Sequence, residues 1–261
     1  MHVSLLDVYQ PRRAWVHALD PRVKILATLG FILTAVTLPE GAWISYALLY
    51  VLILALAWST ELGVAFMLRR GVIALPFVLA ALPLPFLTPG EVIYKLPLLG
   101  WTMTDAGSFR FLSILLRTWV AVQAAVILSA TTTIPDILWG LERLKVPGII
   151  VATIGLMVRY LFVLADEAVR MVRARTSRSP KIEGVRPPGV IWQGGMAGMM
   201  VGSLFLRSLE RSERVYAAML ARGYDGEMRT FDSSNISSRD WVALGMSVLI
   251  LAGIFALGVY S

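Results

Sequence analysis

Ser208-Leu209-Glu210-Arg211-Ser212-Glu213-Arg214-Val215-Tyr216-Ala217-Ala218-Met219-Leu220-Ala221-Arg222-Gly223 is a charged stretch of helical pattern inside an otherwise apolar chain. A helix of this kind, set among membrane segments, has something on the water side to act against. Its placement relative to the bilayer decides the fold.

Composition fixes the class. The 261 residues are 57% hydrophobic and 16% charged, with a mean hydropathy of +0.71, and several apolar runs have the length that crosses a bilayer core of roughly 30 Å. The chain therefore reads as an all-α polytopic integral membrane protein, one membrane domain with a cytoplasmic appendage. There is no cysteine, which excludes disulfides and cysteine-based metal sites. Asp7, Pro11, Asp20 and Pro21 interrupt the first 24 residues, so no cleaved signal is expected and the first span anchors itself.

The apolar segments are Val23 to Leu38, Ala42 to Trp58, Val72 to Leu87, Phe111 to Ala130, Ile149 to Ala165, Val190 to Leu206 and Trp241 to Tyr260. Pro39-Glu40-Gly41 joins the first two as a tight helical hairpin. Arg12, Arg13, Arg22 and Lys24 before the hairpin, and Arg69 and Arg70 after it, place both flanks inside by the positive-inside rule. The third segment leads outward, the loop from Thr88 to Arg110 with Glu91, Lys95 and Asp105 lies outside, and Phe111 to Ala130 returns.

Residues 131–240 carry 15 of the 24 Lys and Arg residues. Each of the two apolar runs inside this region has basic residues on both sides, and a single crossing would put one cluster outside. Ile149 to Ala165 also holds Arg159 near its middle, which is costly against hydrocarbon, and Val190 to Leu206 is diluted by Gly194, Gly195, Gly198 and Gly202. Both runs are expected to lie on, or dip into, the inner face. Five spans remain: a membrane domain of four spans over 1–130, a coupling-helix region over 131–240 and a last span over 241–261. The N-terminus is then cytoplasmic and the C-terminus outside, with 21 of the 24 basic residues inside.

The cytoplasmic region divides into three helices. Pro135 to Leu144 begins after Thr133 and stops at Val146-Pro147-Gly148. A second helix runs from Ile149 to about Arg178, where Pro180 ends it; its later half carries Asp166, Glu167, Arg170, Arg173 and Arg175, with Asp166 and Arg170 spaced for an i,i+4 pair. Lys181 to Gly189 is a linker. The third helix runs from about Ile191 to Arg222 and ends on Gly223, a residue suited to the left-handed C-terminal position. On it Phe205, Leu209, Tyr216, Met219 and Leu220 share one side, and Arg207, Arg211 and Arg214 another, with Glu210 placed to pair with Arg214. Pattern alone makes this a solvated face; its position between membrane segments argues for a partner. Arg222 sits in the last turn, where a cation complements the helix end and can project beyond it.

These features resemble the transmembrane T component of energy-coupling factor transporters, in particular the CbiQ type of cobalt and nickel uptake systems. The resemblance spans nearly the whole chain: Leu19-Asp20-Pro21-Arg22-Val23-Lys24, Thr131-Thr132-Thr133-Ile134-Pro135, Val146-Pro147, Arg159-Tyr160 with Asp166-Glu167, and Phe205 to Gly223. It implies that two short motifs ending the coupling helices dock into two ATP-binding-cassette subunits. Ala221-Arg222-Gly223 matches the second; Ala174-Arg175-Thr176 or Ser177-Arg178-Ser179 could be the first, with Arg178 preferred because it directly precedes the Pro180 region. It further implies a prokaryotic cell-membrane location, a separate membrane substrate-binding subunit, and no cofactor bound by this chain. ATP is expected on the partner subunits, since no Gly-x-x-x-x-Gly-Lys-Ser/Thr run is present. No catalytic residues, metal ligands or nucleic-acid partner are expected.

Other candidates have plainer readings. His2 and His17 read as interfacial side chains, Met196, Met199 and Met200 as an adaptable packing surface, and Asp166-Glu167 with Arg170 as surface ion pairing. Arg117 lies within the fourth span, either snorkelling toward Arg110 or buried in protein, and is a functional candidate with no partner assignable from sequence. A vitamin cargo stays open beside cobalt and nickel. A secondary transporter would need acidic or His groups at the midplane, which the spans lack. A membrane enzyme would have only Asp136, Glu142, Asp166 and Glu167 to draw on.

Overall fold

The computed structural model describes residues 14–60, 63–95, 102–178, 189–226 and 236–260. His2, Ser179, Pro180, the linker from Lys181 to Pro188, and the basic residues Arg12, Arg13 and Arg229 lie outside them. The chain forms two compact units, one of 8–144 with 233–261 and one built on 145–232. Helices dominate both, as an all-α membrane protein requires.

In the first unit, α1 (Pro21–Thr37) and α2 (Trp43–Ser59) follow one another across the short turn expected at Pro39-Glu40-Gly41. Each packs on the later helices Asp105–Thr131 and Ser238–Tyr260 rather than on the other, so the expected tight hairpin is opened by the helices that insert between its arms. Gly41 takes φ +94° in the turn, a conformation that favours glycine. Asp20 caps α1, its Oδ1 accepting from the Arg22 N–H at 2.9 Å, with Pro21 at the first helical position. The third apolar segment is broken: α3 (Val64–Gly71), a 3-10 turn (Val72–Ala74), α4 (Leu75–Ala81) and α5 (Leu84–Leu87) follow one another through Pro76, Pro83 and Pro85. Two short strands, β1 (Val92–Lys95) and β2 (Thr102–Thr104), pair antiparallel. They lead into α6 (Asp105–Thr131), which starts six residues before the apolar run at Phe111. Then come α7 (Ile134–Arg143) and, after the second unit, α10 (Ser238–Tyr260).

The core of this unit sits where α1, α2, α6 and α10 meet, around Phe31, Leu38, Tyr46, Leu49, Ile53, Val120 and Leu251. Small residues set the closest approaches. A Cβ at Gly258 would collide with Leu38 and come within 2.8 Å of Ser45 Oγ, and one at Gly140 would lie 2.9 Å from Ile25, which lets α7 rest on α1. Thr133 Oγ1 caps α7 by accepting from the Asp136 N–H.

The fold supplies the partners of Arg117 that sequence could not. Its Nε donates to Tyr46 Oη at 2.9 Å and its Nη2 to the Leu38 carbonyl at 2.8 Å. Both readings hold in part: Arg117 is half-buried and held by protein groups, and its guanidinium reaches the α1–α2 turn, the end where Arg110 also sits, taking up the Leu38 carbonyl that the end of α1 leaves open. Arg110 adds a 2.9 Å ion pair to Glu40 in the same turn.

The second unit consists of α8 (Gly148–Arg178) and α9 (Val190–Ala221), 31 and 32 residues long. The start of α8 and both ends of α9 fall within a residue or so of those read from Pro147-Gly148, Gly189 and Gly223, while the stop expected at Pro180 lies outside the described residues. Length and composition make Ala65–Leu87, Asp105–Thr131, Gly148–Arg178 and Ser238–Tyr260 long and apolar enough to cross a membrane, with Trp43–Ser59 a shorter apolar helix. The chain is a multi-pass membrane protein. α8 meets that measure on its early half while keeping Arg159 exposed in the middle of the apolar run.

Candidate functional site

The α8–α9 pair is clamped by one carboxylate. Glu167 accepts from Arg170 Nη2 at 2.6 Å, one turn along α8, and from Arg207 Nη1 of α9 at 2.8 Å. The expected Asp166–Arg170 pair is not the one formed: Asp166 is exposed, and Arg170 turns to Glu167, whose position also faces α9. Glu167 lies beyond the apolar run, in the charged half of α8, and its hydrogen bonds to Arg170 and then Arg207 hold its carboxyl below the usual carboxylate range. The Arg175 guanidinium sits over the Trp192 ring at 6.0 Å. As the contacts move from 167 to 175 on α8 they move from 207 to 192 on α9, so the helices run antiparallel.

That polarity sends the two ends apart. Arg178 lies about 16 Å along α8 from Glu167, and Arg222 about 22 Å along α9 from Arg207, at 1.5 Å per residue. Arg178 is exposed at the last turn of α8, and Ala174 and Ser177 are exposed beside it. Arg175 instead packs on Trp192, so of the two candidates for the first motif it is the one already engaged within the pair.

The end of α9 is built by a Schellman motif. Tyr224 N–H donates to the Met219 carbonyl and Gly223 N–H to the Leu220 carbonyl, both at 3.0 Å, while Gly223 adopts φ +80°. Arg222 is the C-cap, and Ala221, Arg222 and Gly223 are all exposed. Among the described residues the Arg222 guanidinium has no hydrogen bond or ion pair. Glu210 and Arg214 come within 3.9 Å on the exposed surface, an interaction of little energetic weight.

The face of α9 toward α8 was not legible in sequence. Met196, Met200, Leu204, Arg211, Val215 and Met219 are half-buried, whereas Phe205, Leu209, Tyr216 and Leu220 are exposed, Phe205 at 62%. Met199 is exposed too. The apolar side read from the pattern is thus, Met219 apart, a surface rather than a core, and no residue of α9 is fully buried. The signal was present in its mixing of large apolar residues with Arg and Glu on the neighbouring positions, but which side would be covered depends on α8.

The chain is thus a multi-pass helical membrane protein carrying two long antiparallel helices with exposed cationic tips and an uncovered apolar stripe. Residues 12–231 match the family described as cobalt transport protein, CbiQ. The chain belongs to that family, the transmembrane T components of energy-coupling factor transporters. It is 31% identical over 240 residues to a cobalt transport protein CbiQ of Rhodobacter capsulatus, covering 90% of each chain. It is also 27% identical to an energy-coupling factor transporter transmembrane protein EcfT of Lacticaseibacillus paracasei, covering 98% of this chain and 99% of that one. An EcfT of Listeria innocua is 26% identical over 87% of this chain and 86% of its own length.

Proposed function

We propose that this chain is the mechanical coupling subunit of an ATP-driven importer, passing movement of two cytoplasmic ATP-binding-cassette subunits to a membrane substrate-binding subunit. The observation that carries it is Arg222: a solvent-facing guanidinium with no partner among the described residues, held at the rim of a helix end by the Schellman turn. A guanidinium so placed suits a groove lined with carboxylates or carbonyls. Ala221-Arg222-Gly223 at the end of α9 and the Ser177-Arg178-Ser179 motif, whose first two residues close the described part of α8, are the two docking motifs, with Arg175 supporting the pair through Trp192.

The exposed stripe of Phe205, Leu209, Tyr216 and Leu220 gives the partners apolar area beside the charge. The chain itself performs no catalysis and binds no cofactor, and ATP is bound and hydrolysed on the partners. Cobalt or nickel is the cargo; the family description and the name of the R. capsulatus relative support cobalt. The protein sits in a prokaryotic cell membrane with its N-terminus and the α8–α9 pair on the cytoplasmic side, supported by the distribution of Lys and Arg.

The test is co-purification followed by reconstitution. Isolation of the chain with two ATPases and a small membrane subunit, and cobalt or nickel uptake into vesicles only with ATP, is the expected result. Uptake by the chain alone without ATP would overturn it.

A further inference from the structure

We infer that the membrane unit holds an anionic phospholipid, with an acyl chain in the cavity between α1, α2, α6 and α10 and its phosphate at Arg239. The cavity measures about 740 Å³, within the 300–1,000 Å³ range of small-molecule sites. Its floor is buried and apolar, formed by Val23, Phe31, Ile53 and Leu251. It reaches an exposed rim at Trp15, Val242 and Met246.

Protein interiors pack nearly as densely as organic crystals, and an apolar space of this size binds an apolar group that has access to it. Beside membrane-spanning helices that group is an acyl chain. The polar lining lies at one end, where α1 and α10 begin and α6 finishes. Lys24 Nζ there donates to the His17 and Thr131 carbonyls, and Asp240 accepts from the Asp20 and Ser237 N–H groups at 3.1 and 3.0 Å. Lys24 and Asp240 are thus engaged within the protein. Arg239 is exposed, lines the same end, and its guanidinium has no hydrogen bond or ion pair among the described residues. Trp15 at the rim has the amphipathic ring found at headgroup level.

An apolar hollow with a cation and an indole at one end fits an amphiphile with a negative head. A partner helix, about 10 Å across with its side chains, would need an open groove along the bilayer rather than a floor closed by buried residues of three helices. Surrounding lipid is as apolar as the cavity wall, so retention comes from contact and from the charge at the mouth.

The experiment uses the full chain in phosphatidylcholine vesicles doped with phosphatidylglycerol bearing a photoreactive acyl chain, with labelled peptides mapped by mass spectrometry. Label is expected on α10 between Val242 and Leu251 and on α1 between Val23 and Phe31, at least five-fold above that from the same chain on phosphatidylcholine. Ala243→Phe, which fills the cavity, should cut the label at least five-fold, and Ala27→Phe does the same from α1 if the first variant fails to fold. Arg239→Gln, at an exposed position, should keep the label and lose the headgroup preference. Label outside the cavity, label undiminished in the filled variants, or equal labelling by the two headgroups in the unmodified protein would each overturn the proposal.

Discussion

Glu167 of α8 accepts a 2.8 Å hydrogen bond from Arg207, forty positions later on α9, and shares its other oxygen with Arg170. The pair is the ionic link between the two helices whose tips are proposed to dock the ATPases, so its loss should loosen the levers without unfolding the membrane unit. Glu167→Gln is expected to broaden the distance distribution between spin labels on α8 and α9. Exchanging the charges, with Glu167→Arg and Arg207→Glu together, should narrow it again; a broad distribution in the exchanged protein would rule out the clamp.

The same contact sets a pH dependence. A carboxyl held below its ordinary value stabilises the folded arrangement wherever the group is ionised, and that contribution is lost only as pH falls through the lowered value. The label distances should therefore stay constant from pH 8 to 5 and broaden only below the ordinary glutamate value of about 4.3. Broadening near pH 6 would point to a different group.

Arg117 offers a stability test inside the membrane unit. Its hydrogen bonds reach Tyr46 Oη and the Leu38 carbonyl, and charged hydrogen bonds are worth about 1.5–3 kcal/mol each to break. Arg117→Met should cost about 3 kcal/mol in detergent unfolding, since it leaves both acceptors open. Tyr46→Phe should cost about 1 kcal/mol, because the guanidinium keeps Leu38. Equal losses would mean the two bonds do not act as the geometry states.

What sequence revealed and what it did not follow from the range of the interactions. The start of α8 and the end of α9 were legible because Pro147 and Gly223 act within a turn of themselves. The break in the third segment was partly legible, since Pro76, Pro83 and Pro85 stand in it, yet its start at Val64 was hidden by Arg69 and Arg70, whose charge marks a flank rather than a helix interior. Asp166 and Glu167 both lie within reach of Arg170, and only Arg207, from another helix, decides between them. The partners of Arg117 lie more than seventy residues away and no local pattern encodes them. For the proposed docking tips, the composition of Ala221-Arg222-Gly223 was readable, while the engagement of Arg175 by Trp192 needed the fold.

Close helix packing gives a contrasting pair of substitutions on α10. Gly258→Leu forces a side chain into Leu38 and Ser45, whereas Gly253 has open space around it. The first should destabilise by about 2 kcal/mol through overpacking, and Gly253→Ala should be neutral or stabilise by about 0.5 kcal/mol through the usual helix preference. Thermal unfolding of the two variants in one detergent checks the sign of each.

At the tip of α9, charge and geometry can be separated. Arg222→Glu inverts the charge and leaves the Schellman turn, so membrane insertion and helix content should be unchanged while co-purification of the ATPases falls at least ten-fold. Gly223→Val keeps Arg222 but places a β-branched residue at φ +80°, which costs about 1–2 kcal/mol and unwinds the turn that aims the guanidinium. It should weaken the ATPases nearly as much, and Gly223→Asn, which tolerates the left-handed region, should restore most of the binding. If Gly223→Val binds normally while Arg222→Glu does not, the charge alone suffices and the helix end has no aiming role.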